Sequence, residues 1–146
     1  MTVRSSYNGP VFEVIATRDF SIKGIKLKSS DPADPAKPIA FYFGSPGSGK
    51  HRTMGIRVTD SSNINITNNT IVGYWSGIHI TAKRGTCSDI VIRKNTVTDC
   101  GYWSVAAHSN VKELAPGGDL RKIRIEGNYI TRCEQGPFSG VSAIAL

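Results

Sequence analysis

One phrase occurs twice in this chain. Asn69-Thr70-Ile71 leads to Gly73-Tyr74-Trp75-Ser76, and Asn95-Thr96-Val97 leads to Gly101-Tyr102-Trp103-Ser104, with the two asparagines 26 residues apart. Duplication at a period of about 20–50 residues is the mark of stacked structural units, each too small to bury a core alone. A third copy follows. Ile64-x-Ile66 precedes Asn69, Ile90-x-Ile92 precedes Asn95, and Ile123-x-Ile125 precedes Asn128. Each asparagine has an apolar residue two positions later: Ile71, Val97 and Ile130.

Alternation at period two predicts short strands with one buried face. No segment carries a 3.6-residue period with helix caps. A further strand follows each Gly-aromatic turn, Gly77–Thr81 and Ser104–His108, and Gly55–Thr59 has the same form. The unit is therefore strand, Asn turn, strand, Gly-aromatic turn, strand, loop. Three short strands per coil is the plan of a parallel β-helix, whose coils stack at the usual strand spacing of about 4.8 Å. Asn69, Asn95 and Asn128 then superpose. Asparagine tolerates the left-handed backbone of a tight turn, and stacked amides can hydrogen-bond along a column. Cys100 and Cys133 each lie five residues after such an Asn. Stacked, they could form a disulfide or remain a column of buried thiols.

The repeated Ile-x-Ile-x-x-Asn-x-(Ile/Val) pattern resembles the right-handed parallel β-helix of the pectate-lyase-like superfamily. The resemblance runs over residues 11–146. It implies an all-β, single-stranded helix of about four coils with an Asn ladder between the second and third sheets. Residues 1–146 read as a single segment: 11–27 an atypical first coil with Ile25 in the ladder slot, 28–53 a long loop, 54–146 regular coils. The apolar end, Ser142–Leu146, reads as the start of another first-sheet strand. We therefore expect a piece of a longer β-helix, whose remainder or another chain covers the C-terminal end.

In the polysaccharide enzymes of that superfamily the first sheet forms the substrate groove. With Ile56, Val58, Ile78, Ile80, Val105 and Ala107 inward, Glu13, Arg57, His79 and Ala106 share one outward column. Thr59, Thr81 and His108 share the next. The chain carries a net charge of +7 and a pI near 9.5, which favours an anionic partner. A lyase acting by β-elimination on a uronate polymer must neutralise a sugar carboxylate and remove the adjacent proton. We assign His79 as base, Arg57 as carboxylate partner and His108 as a second proton-transfer group. Lys83, Arg84 and Lys112 are candidate substrate cations, and Tyr74, Trp75, Tyr102 and Trp103 candidate sugar-stacking faces. Turn packing between coils is the competing role for these aromatics. The expected partner is an acidic polysaccharide, with secretion or cell-surface display. A non-catalytic β-helix module for binding, adhesion or a phage tailspike is the alternative.

Other chemistries fit poorly. Paired carboxylates of the glycoside-hydrolase kind are absent from the first-sheet strands. So is the epimerase signature Asp-Pro-His-Glu. A bound Ca²⁺ could also neutralise the sugar carboxylate, but Asp60 and Asp89 are too isolated to argue a site for it, and three cysteines at these spacings make no metal pattern, so no cofactor is expected, with Ca²⁺ the one alternative left open. Gly44–Lys50 mimics a phosphate-binding loop, but His51 stands where its hydroxyl residue belongs and no helix pattern follows. Basic residues do not interleave with aromatics as in nucleic-acid motifs, and no apolar run is long enough to span a membrane. Met1–Gly9 has no signal-type apolar stretch.

Overall fold

The structure, a computed structural model, describes residues 2–5, 10–29, 53–109, 118–133 and 144–145. Every regular element among them is a strand, and every pairing is parallel. After β1 (Thr2–Ser5) the chain runs through β2 (Pro10–Ile15), β3 (Arg18–Lys23) and β4 (Lys26–Ser29). The second coil is β5 (Met54–Thr59), β6 (Ser62–Thr67) and β7 (Thr70–Val72). The third is β8 (Ser76–Ala82), β9 (Thr86–Arg93) and β10 (Thr96–Thr98). The fourth is β11 (Trp103–Ser109), β12 (Asp119–Glu126) and β13 (Tyr129–Thr131), and β14 (Ile144–Ala145) follows.

Successive strands join different sheets. The first sheet stacks β14-β11-β8-β5-β2, the second β12-β9-β6-β3, and the third β1-β4-β7-β10-β13. Three parallel sheets visited in rotation, about four rungs deep, are consistent with a parallel β-helix. β1 pairs with β4 and lies outside the stretch in which the repeat was legible. Four residues with a single apolar position offer no period to read.

The corners explain the sequence between the strands. Left-handed residues recur in columns: Gly24, Asn68, Lys94 and Gly127 at one corner, Gly73, Asp99 and Arg132 at another, Ala16 and Asp60 at a third. A fourth column, Asp19, Asn63, Asp89 and Lys122, kinks the second-sheet strands near their start. Gly, Asn and Asp dominate because this backbone region costs other residues about 1 kcal/mol or more.

Just past the Asn68–Lys94 corner, the side chains of Asn69, Asn95 and Asn128 hydrogen-bond in series. Asn69 Nδ2 donates to Asn95 Oδ1 at 3.0 Å, and Asn95 Nδ2 to Asn128 Oδ1 at 2.9 Å. The same oxygens accept the backbone amides of Asn69 and Asn95, and Asn69 Oδ1 accepts the Ile25 amide. Ile25 thus occupies the slot in the first coil through its backbone amide, with no side-chain amide to continue the series.

Inward residues stack in rows, among them Ile56-Ile78-Val105, Ile64-Ile90-Ile123 and Leu27-Ile71-Val97-Ile130. Members in the middle coils are fully buried, whereas Ile123, Ile125 and Ile130 are only partly so. Among the described residues each Ile in the middle has an apolar neighbour above and below, whereas Ile123, Ile125 and Ile130 have one below only. Among the described residues no helix is long and apolar enough to cross a membrane. Gly44–Lys50, most of the 28–53 loop and Lys112 lie outside the described residues.

Candidate functional site

The first sheet carries the candidate residues at adjacent heights. Glu13, Arg57, His79 and Ala106 are successive register partners across β2, β5, β8 and β11. Thr59, Thr81 and His108 form the neighbouring row. In-register parallel strands place these side chains on one face, because alternation is strict and the inward positions are filled by Ile and Val.

Two imidazoles meet there. His79 Nε2 lies 3.1 Å from His108 Nδ1, so one nitrogen donates and the other accepts. Trp103 borders both rings, edge-on to His79 at a centroid distance of 5.7 Å and tilted to His108 at 6.0 Å. Trp75 stacks on Tyr102 at 4.9 Å and lies 6.0 Å from Trp103, so the aromatic turn and the histidines form one cluster. Gly77, near the start of β8, lets that strand lie close against the Ser104 backbone and the core side chain of Val97. A Cβ there would lie 2.5 Å from the Ser104 carbonyl oxygen and 2.6 Å from Val97 Cγ1.

This face is drier than the alternation alone implies. His79 is 6% exposed and Thr81 6%, although both point away from the interior enclosed by the three sheets. Burial first, then the neighbouring His108 and Arg57, lowers the His79 pKa to about 3. Burial also lowers that of His108. Both rings are therefore neutral at physiological pH. His79 Nδ1 is buried and has no hydrogen-bond partner among the described residues. A lone pair left there costs less than an orphaned N–H, which favours the tautomer with His79 Nε2–H donating to His108.

Arg57 points along the same column but is engaged. Its Nε donates to Glu13 Oε1 at 2.7 Å, and its Nη2 donates to the same oxygen. Sequence had set Glu13 in this column, yet gave no sign that it would take the guanidinium. Asp60 was the other functional-looking residue missed. Its carboxylate accepts the amides of Lys83 at 2.8 Å, Arg84 at 3.4 Å and Gly85 at 3.1 Å. It thereby fixes the turn after β8 with the Lys83 and Arg84 side chains exposed. The signal available was an Asp directly after a strand, a common corner residue.

The structure thus gathers Arg57, His79, His108, Trp75, Tyr102 and Trp103, and sets Lys83 and Arg84 at the adjoining corner. Tyr74 is different. It is fully buried in the core, with burial pushing its hydroxyl up to about 12, so it cannot present a face to a sugar. The turn sends Trp75 the other way, against Tyr102, but at 4% exposure it too is covered and presents no open face to a sugar. Among the described residues no group of three or more His, Cys, Asp or Glu side chains is arranged to hold a metal ion. No protein-family model, curated protein or solved structure matches this chain.

Proposed function

We propose that this chain is part of a secreted or surface carbohydrate-active enzyme of the pectate-lyase-like superfamily, a right-handed β-helix with an Asn ladder. It cleaves an acidic, uronate-containing polysaccharide by β-elimination. The observation that carries this reading is the row Arg57–His79 with His108 at hydrogen-bonding distance, a cation and a neutral imidazole side by side on one sheet. His79 is deprotonated throughout the physiological range, hence able to accept a proton. Its low pKa makes it a weak base while empty. A substrate carboxylate arriving beside it favours the imidazolium and strengthens it. Arg57 exchanges Glu13 for that carboxylate, His108 passes the proton outward, and Trp103 and Tyr102 flank the sugar ring. Lys83 and Arg84 draw the polyanion to the sheet edge.

A second reading is a non-catalytic binding, adhesion or tailspike-type module. Its support is that Arg57 already has a carboxylate partner and His79 is buried. The two separate in one assay. Incubated with alginate, pectate and chondroitin, a lyase generates unsaturated uronate and its ultraviolet absorbance. His79→Ala should lower that turnover by about 10²–10⁴-fold. Retained binding with no absorbance gain on any polymer rejects the lyase in favour of the module.

A further inference from the structure

Cys100 and Cys133 follow paired strands one coil apart. Thr98 and Thr131 are register partners, and the Asp99 amide donates to the Thr131 carbonyl at 3.2 Å. Each thiol turns back on the carbonyl two residues earlier: Cys100 Sγ lies 3.9 Å from Thr98 O, Cys133 Sγ 3.4 Å from Thr131 O. The same side-chain path on superposed backbones stacks the two sulfurs. Cys133 Sγ also leans toward the coil of Cys100, reaching within 3.8 Å of Val97 O. In-register neighbours hold their Cα atoms about 4.8 Å apart, within the roughly 4.4–6.8 Å that disulfides span. All three cysteines are reduced in this structure.

We propose that Cys100 and Cys133 are an oxidisable pair, closing into a disulfide that staples the fourth coil to the third. Cys133 is partly exposed and meets the oxidant first; Cys100 is 1% exposed and acts second. With a small-molecule disulfide as oxidant, the Cys133 thiolate attacks one of its sulfurs and expels one thiol. Cys100 then attacks Cys133 Sγ and expels the second. The electron pair passes to the small disulfide, and the two protein thiol protons leave with the two expelled thiols. In the reduced chain the adjacent Cys133 thiol, then burial, hold the Cys100 thiol well above its usual range, so Cys100 does not begin the exchange. Cys87 takes no part: it is fully buried on β9 with its thiol on Thr81 O. Because Cys100 opens the turn to Gly101, Tyr102 and Trp103, the bridge also anchors the aromatic cluster, whatever that cluster binds.

Oxidised glutathione added to the reduced chain tests this by intact mass, non-reducing peptide mapping and thermal melting. The expected result is loss of two hydrogens, a Cys100–Cys133 linked peptide, and a melting rise of roughly 5–10 °C that dithiothreitol reverses. Cys87→Ser should behave as wild type, and Cys100→Ser should stop at one glutathione adduct on Cys133. Three titratable thiols after oxidation, a link to Cys87, or a wild-type adduct that never closes would overturn the proposal.

Discussion

β8 and β9 are consecutive strands of one coil, and they meet their surroundings differently. Every residue of β8 is buried, on both faces. Residues of β9 alternate, with Ile90 and Ile92 buried and Asp89 and Arg93 exposed. Both strands face the same stacked interior, so the inner rows are set by the stacking of parallel strands and do not distinguish the sheets. The outer rows do. On the second sheet the row Asn65, Val91, Arg124 is in reach of water, and charge there is solvated. On the first sheet the corresponding row holds His79 in a dry setting, where a proton or a charge has a large effect on free energy. Function is therefore expected where the outer face has lost water.

The largest test of that contrast places a charge in each outer row. His79→Lys sets an ammonium at the buried His79 position, beside the half-buried Arg57, and should cost about 3–5 kcal/mol. Val91→Lys, on the outer face of β9, should change stability by no more than about 0.5 kcal/mol. Urea unfolding of the two variants measures the difference. Equal costs would mean the first-sheet face is as wet as the second.

Acid offers a smaller version of the same comparison. The folded-state pKa of His79 lies near 3, below the ordinary 6.5 of an unfolded histidine. Between those values the unfolded chain binds more protons, so stability falls as pH drops from 6.5 toward 3. At pH 5 this one group should cost about 2 kcal/mol relative to pH 7.5. In His79→Gln that part of the pH slope should vanish, while substitutions on β9 should leave it unchanged. Chemical denaturation at the two pH values reads both.

That contrast also marks where sequence reading reached and where it stopped. The inner rows were legible because period-two alternation has one physical cause, burial against the stack, and it repeats in Ile64/Ile66, Ile90/Ile92 and Ile123/Ile125. Strand count per coil, parallel stacking and the register of Arg57 with His79 follow from superposing those repeats. The dryness of the His79 row was not legible, because alternation says which way a side chain points and nothing about what lies beyond it. The Glu13–Arg57 pair was half legible, since the column is a matter of register but hydrogen bonding depends on rotamers. Tyr74 was misjudged because Tyr74-Trp75 and Tyr102-Trp103 look alike as dipeptides. In the stack, Tyr74 shares its height with Cys100 rather than with Tyr102, for the Gly101 amide bonds to Tyr74 O and the Tyr102 amide to Trp75 O.

On the exposed side, backbone conformation rather than surroundings should govern the effect of a substitution. Lys94 closes β9 with φ of 55°, in the column where other coils carry Gly24, Asn68 and Gly127. Its side chain is exposed, so nothing but the left-handed backbone distinguishes one residue from another there. A lysine in that region carries about 1 kcal/mol of local strain. Lys94→Asn keeps a side chain yet suits the conformation, as Asn68 does one coil below, and should stabilise by about 0.5 kcal/mol. Lys94→Gly removes the strain entirely but gives the unfolded chain more freedom, so its net gain should be no larger. Lys94→Ala keeps the strain and should gain nothing. Thermal melting of the three variants ranks them. A gain for alanine equal to that for asparagine would locate the effect in the lost charge, beside Arg93 on a basic chain, and not in φ.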